Sequence, residues 1–178
     1  LRAAGEVRDE PDTRPPGFSG ELRSYQAEAV GWLKFLDDAG LGGCLALDMG
    51  LGKTPTILAR VAIAPGSQPA LVVAPPAVVG NWAAEAQRFT PDLSVLVHHG
   101  PSRVNGPELR SRIRDSDLVI TTYGTAVRDI AELSDLFWDR VVLDEAQVIK
   151  NHRSATAKEL RKLNARSRLA LTGTPIEN

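Results

Sequence analysis

The sequence predicts a three-layer α/β fold, with a mainly parallel central sheet flanked by helices. Three observations predict it. Six short apolar runs recur along the chain, and none alternates with polar residues, which is the pattern of strands covered on both faces. Each run is followed by glycine or polar residues and then by a segment with helical spacing, the order that parallel strands with crossover connections require. The chain has 178 residues, 43% hydrophobic and 24% charged. That suits one globular domain and excludes both the charge-rich composition of a disordered chain and the glycine and proline excess of a fibrous one.

The elements follow in order. Residues 1–20 are charged, with three prolines, three glycines and no period, and read as a tail or connector; the domain is expected to span 21–178. Leu22, Tyr25, Ala29, Trp32, Leu33 and Leu36 share one side of a helix that Gly40, Gly42 and Gly43 end. Strands are expected at 44–47, 70–74, 93–97, 118–121, 141–143 and 169–171, and helices at 54–62, 79–89, 108–113, 125–133 and 156–163. Trp82, Ala86 and Phe89 make a stripe that core packing explains.

A single cysteine excludes an internal disulfide, and Cys44 reads as a small buried apolar residue. With three histidines it leaves no zinc constellation of structural type, and His98 and His99 have no ligand partners at a recognisable spacing. The longest stretch without polar side chains, 69–80, is 12 residues with three prolines, too short to cross a bilayer. No secretory leader opens the chain, and its start at Leu1 suggests a piece of a longer protein. The net charge of −1 hides a basic stretch: residues 150–178 carry seven basic and two acidic side chains. A phosphate-facing patch and an ordinary solvated helix face both fit it.

The run CLALD leads into MGLGKT and then into a helical segment. Gly50 and Gly52 permit a tight loop whose N–H groups face oxygens, and the following helix brings its positive end to the same point. Lys53 is placed to reach the β and γ phosphates of a nucleotide and Thr54 to put its hydroxyl on Mg²⁺. Leu47 stands where the strict phosphate-loop pattern has its first glycine, so an ordinary glycine turn with an exposed lysine is the competing reading. Pro55 falls in the first turn of the helix, where its missing N–H costs little.

The segment WDRVVLDEAQVIKN ends an apolar strand in Asp144 and Glu145. In a parallel sheet that is the edge where ligands sit. One carboxylate there can hold Mg²⁺, assigned to Asp144, and the next can orient and deprotonate an attacking water, assigned to Glu145. An acidic pair starting a helix is the bland alternative, which the phosphate loop disfavours. The tail LALTGTPIEN reads as another strand ending in Thr172, Gly173 and Thr174 near that edge.

Taken together, these strings resemble the first RecA-like lobe of the SWI/SNF-type DNA-dependent ATPases of helicase superfamily two, in a bacterial wording, from Leu22 to Asn178. Several roles come only from the resemblance. LRSYQAEAVGWLKFL is similar to the adenine-side segment, which puts Gln26 on the adenine edge, and Met49, Gly50, Leu51, Gly52, Lys53 and Thr54 correspond to the family's phosphate loop. LVVAPPAVVGNWAAE and ITTYGT resemble segments that approach the DNA strand, which makes Pro76, Asn81, Trp82, Thr121 and Thr122 candidate contacts. HHGPSR resembles a further family segment. DEAQVIKN is similar to the hydrolysis motif and LTGTPIEN to the motif coupling hydrolysis to movement, through Gln147, Thr172, Gly173 and Thr174.

The resemblance implies ATP and Mg²⁺ as cofactors, double-stranded DNA and a second RecA-like lobe of the same polypeptide as partners, no membrane, and a cytoplasmic, nucleoid-associated location. It implies DNA-dependent ATP hydrolysis driving translocation on duplex DNA or remodelling of protein–DNA complexes. A strand-separating helicase of the same superfamily and a nucleotide-binding scaffold without hydrolysis remain open alternatives. Leu47, Pro55 and Pro76 depart from the family's usual acidic, aliphatic and hydroxyl residues, and Pro76 removes a donor toward DNA. In the family a second lobe supplies arginines to the γ phosphoryl, so a lobe ending at TGTPIEN is expected to bind nucleotide weakly and hydrolyse it negligibly.

Overall fold

The computed structural model describes residues 11–47, 50–149 and 154–173. Its centre is a six-stranded sheet, every pair parallel, in the order β1-β6-β5-β2-β4-β3. The strands are β1 (Gly43–Ala46), β2 (Ala70–Ala74), β3 (Val95–His98), β4 (Leu118–Thr122), β5 (Phe137–Leu143) and β6 (Asn164–Thr172). The helices are α1 (Ser24–Asp38), α2 (Lys53–Ile63), α3 (Pro76–Phe89), α4 (Gly106–Arg114), α5 (Tyr123–Arg128), α6 (Ile130–Ser134) and α7 (Ala155–Leu160). β2 and β4 are buried along their whole length, as the unbroken apolar runs require of strands covered on both faces.

Two apolar layers enclose the sheet. Leu33 of α1, Ile57, Leu58 and Val61 of α2 and Trp82 and Ala86 of α3 pack with Val72, Ile120 and Val142 of the strands. On the other face, Leu109 and Ile113 of α4, Ala126 of α5, Leu133 of α6 and Leu160 of α7 pack with Leu71, Val119 and Val141. Gly43 shows how closely α1 approaches β1, because a Cβ on that glycine would overlap the Leu36 side chain.

The structure departs from the sequence reading in five places. Residues 11–20, expected as a connector, are folded onto the domain: Phe18 is buried and stacks on Phe89 at 5.3 Å between ring centroids, and Ser19 N donates to Phe89 O at 2.6 Å. The helix expected over 125–133 divides into α5 and α6 at Asp129, whose carboxylate is drawn into a buried contact with His98 and Arg103. α3 begins at Pro76 rather than residue 79, with proline at the first helical positions, where it lacks no bond the helix could use. Cys44, expected inside, is exposed, because β1 turned out to be an edge strand.

The fifth departure is the length of β5 and β6, which begin several residues before their apolar runs and carry Asp139, Arg140 and Arg166 into the sheet. These charges are held by a network at the N-terminal edge. Asp37 Oδ2 of α1 meets Arg60 Nη2 of α2 at 2.7 Å and Arg140 Nη1 at 3.1 Å, while Asp139 takes Arg140 and Arg166 at 2.9 Å each. Arg166 of the basic stretch is therefore spent on structure. Arg168 likewise donates to the carbonyls of Leu160, Arg161 and Leu163 at the end of α7, where a cation complements the helix.

Asp37 is the counter-charge to two arginines that are each about 5% exposed. Removing one partner of a buried ion pair costs about 3 to 5 kcal/mol because the other charge is left uncompensated. Asp37→Ala is expected to lower unfolding free energy by about that amount in urea titrations; an unchanged midpoint would show that the network contributes nothing.

Candidate functional site

The C-terminal ends of β1, β5 and β6 meet the loop before α2. Gly50 and Gly52 have φ of 85° and 75°, left-handed backbone that a side chain would oppose. Behind the loop, Tyr25 Oη donates to Leu51 O at 3.0 Å, and the Gln26 amide donates to Gly52 O at 3.2 Å and Leu51 O at 3.4 Å. Gln26 Oε1 accepts from Arg23 N at 2.8 Å. Gln26 thus braces the phosphate loop, and both amide hydrogens are used within the protein. α2 starts at Lys53 directly after Gly52, and its first-turn N–H groups face the loop.

Across the loop stands the acidic pair. Asp144 is 6% exposed. Its Oδ2 accepts from Trp82 Nε1 at 2.8 Å and its Oδ1 from Glu145 N at 2.9 Å. Burial pushes the Asp144 carboxyl above the usual carboxylate range, and the Trp82 and Glu145 N–H groups work against that rise. Glu145 has φ of 49°, the one positive value on a non-glycine residue among the described residues, a conformation that persists only where surrounding bonds hold it.

Glu145 is gripped from two sides. Lys53 Nζ meets its Oε1 at 3.3 Å, both side chains being largely buried, and the Gln147 amide donates to its Oε2. Thr172 at the end of β6 donates to Gln147 Oε1 at 3.0 Å. The structure therefore brings Lys53, Asp144, Glu145, Gln147 and Thr172 together, with Thr54 and Gly173 beside them; Met49 and Thr174 lie outside the described residues. A solvent-open cleft of about 480 Å³ runs over this cluster, lined by Gly50, Lys53, Thr54, Trp82, Asp144 and Glu145.

The candidate DNA contacts divide differently. Pro76 and Asn81 are exposed at the start of α3, Asn81 donating to Glu85 Oε1 at 2.8 Å. Trp82, Thr121 and Thr122 point their side chains inward instead. Trp82 is 1% exposed beneath Asp144, so the core reading of its stripe and a polar role coincide. Thr121 Oγ1 donates to His98 O at 2.8 Å, and Thr122 caps α5 by accepting from Thr125 N at 3.2 Å. Two features escaped the sequence reading: Tyr123, whose hydroxyl donates to Asp144 O at 2.6 Å, and the clasp of Asp129 with His98 at 2.8 Å and Arg103 at 2.8 Å. Only the aromatic character of ITTYGT hinted at the first, and nothing local signalled the second.

A parallel sheet with a glycine loop and lysine at the end of one strand, facing an Asp–Glu pair at the end of another, defines the RecA-like class of P-loop nucleotide-binding lobe. Comparison narrows the class. Residues 25–178 match the SNF2-related domain, and the chain belongs to that family. It is 44% identical over 167 residues to YwqA of Bacillus subtilis (strain 168), whose name describes an ATP-dependent helicase/translocase; the match covers 92% of this chain and 18% of YwqA. Over 172 residues it is 36% identical to the ISWI chromatin-remodeling complex ATPase ISW1 of Saccharomyces cerevisiae, covering 92% of this chain and 15% of ISW1. The Sulfolobus solfataricus SWI2/SNF2 ATPase core solved in complex with dsDNA superposes with a TM-score of 0.83 at 38% identity, over 93% of this chain and 34% of that one. The chain thus spans under a fifth of these two curated relatives and about a third of the solved core.

Trp82→Phe separates the hydrogen bond from the packing. Because Asp144 is raised in the folded state, its effect on stability is most favourable below the unfolded value of 3.8 and is lost as pH rises through the folded value. Losing the indole N–H raises the folded value further, so more is lost. The gap in unfolding free energy between wild type and Trp82→Phe is expected to widen as pH rises through that window, by about 1.5 to 3 kcal/mol, above a constant packing loss. Denaturant titrations across pH test this; a gap independent of pH would remove the Trp82–Asp144 bond from the account.

Proposed function

We propose that the cleft binds Mg-ATP and that, in a polypeptide carrying a second RecA-like lobe, this lobe hydrolyses ATP in a DNA-dependent way to drive translocation on double-stranded DNA or remodelling of protein–DNA complexes. The observation that carries the reading is the Lys53–Glu145 contact of 3.3 Å at the mouth of the phosphate loop, beside the desolvated Asp144. An ammonium resting on a carboxylate can exchange it for phosphate oxygens, and the exchange frees Glu145 Oε1.

The steps for this chain's own residues follow. The loop N–H groups and the N-terminus of α2 take the β phosphate, and Lys53 moves to the β and γ oxygens. Glu145, with Oε2 held by Gln147, presents Oε1 to the attacking water and accepts its proton. Thr172 fixes Gln147 and so ties the end of β6 to that carboxylate. Thr54 and Asp144 would hold Mg²⁺, which supplies charge compensation at the phosphate oxygens. They fit the ion, since both offer hard oxygen and the buried Asp144 carboxylate is an anion that a cation would relieve. Gln26 would act on the adenine edge only by loosening its hold on Leu51 and Gly52, so its bracing of the loop is the larger role.

Duplex DNA as partner is supported by the solved relative bound to dsDNA and by exposed Pro76, Asn81 and Gly124 on the same edge of the sheet. Closure by a second lobe is supported by the open cleft, since water must be excluded from the developing charge. No helix among the described residues is long and apolar enough to cross a membrane.

Lys53→Ala is expected to weaken Mg-ATP binding by roughly 10- to 150-fold in calorimetric titration, and equal affinity would sink the phosphate-loop assignment. In the two-lobed protein, Glu145→Gln should keep ATP binding while kcat falls by about 10² to 10⁴. Turnover is to be measured with duplex DNA and with single-stranded RNA; stimulation by the RNA alone would favour strand separation over translocation.

A further inference from the structure

Two aromatic donors converge on Asp144 from the two segments on the proposed DNA side. Trp82, from the helix after β2, bonds the carboxylate at 2.8 Å; Tyr123, from the start of the helix after β4, bonds the main-chain carbonyl at 2.6 Å. That carbonyl and the Glu145 N–H belong to one peptide plane, and the N–H is held by Asp144 Oδ1 at 2.9 Å. The plane is therefore clamped at both ends. Its orientation sets φ of Glu145 at 49°, and rotating the plane would carry Glu145 toward the negative φ it otherwise prefers.

We propose that the Tyr123 hydroxyl is a latch on the Asp144–Glu145 peptide, a positioning residue that makes the orientation of the Glu145 carboxylate depend on the segment Thr121–Thr125. Tyr123 sits at the first position of α5, whose cap is Thr122 and whose Thr125 is bonded to Thr122 and to His99 at 3.0 and 3.3 Å. A strand pressing on exposed Gly124 displaces the residue next to the latch. Burial, with Asp144 and Glu145 close by, pushes the phenol above its ordinary range.

The inference rests on the ATPase reading above, and the experiment separates the two. In the two-lobed protein, Tyr123→Phe removes one oxygen and keeps the ring in its layer. Turnover with saturating duplex DNA is expected to fall about 3- to 10-fold, the worth of one neutral hydrogen bond. Mg-ATP affinity and KM should be unchanged, and the ratio of DNA-stimulated to basal turnover should fall with kcat. A merely structural role would shift unfolding without splitting kcat from KM. Wild-type kcat and stimulation in Tyr123→Phe would overturn the latch while a dead Glu145→Gln left the ATPase reading intact; an active Glu145→Gln would overturn that reading and the latch with it.

Discussion

A carboxylate buried at the end of a central strand is the constraint around which this lobe is arranged. Asp144 follows β5, which lies between β2 and β6, and its amide continues the ladder by donating to Val73 O at 2.8 Å. An anion so placed is costly unless each oxygen has a donor. The fold supplies Trp82 from one helical layer and the Glu145 amide from the turn itself, a turn whose Glu145 adopts left-handed backbone. The strain at Glu145, the indole under the sheet edge and the closeness of Lys53 are thus parts of one electrostatic solution.

The two edges of the sheet use charge in opposite ways. At the N-terminal edge, Asp37, Arg60, Asp139, Arg140 and Arg166 are matched against each other within the protein. At the C-terminal edge, Lys53, Asp144 and Glu145 line an open cleft, and the Lys53–Glu145 pair is the longer and looser contact at 3.3 Å. Closed ion pairs hold strands in register; an open one leaves groups to exchange for a ligand. Of the basic stretch late in the chain, Arg166 belongs to the first kind, through its pairing with Asp139.

What the sequence discloses and what it hides follow from range of interaction. Strands such as β2 and β4 are legible because apolar cover on both faces leaves an unbroken local pattern. Lys53 and the Asp144–Glu145 pair are legible because loop, helix start and strand end are each written in a few consecutive residues. The early halves of β5 and β6 are not, since Asp139 and Arg140 are tolerable in a strand only once Asp37 and Arg60 arrive from distant helices. The same holds for the break at Asp129, set by His98, and for Trp82 and Tyr123, whose partner lies 62 and 21 residues away. Cys44 was misplaced because strand order, which decides an edge, has no local signature.

The stack of Phe18 on Phe89 gives α3 an asymmetry of mechanics. Its last turn is held from outside the core by that aromatic contact and by the Ser19–Phe89 backbone bond, whereas at its other end Pro76 is exposed and Val79 is already buried in the core. With a rise of about 1.5 Å per residue, Trp82 lies roughly midway along the helix, between the buried Val79 and Ala86. The segment at 11–20 that looked like a loose connector is, in these terms, a clamp that extends the anchoring of α3 to its last turn.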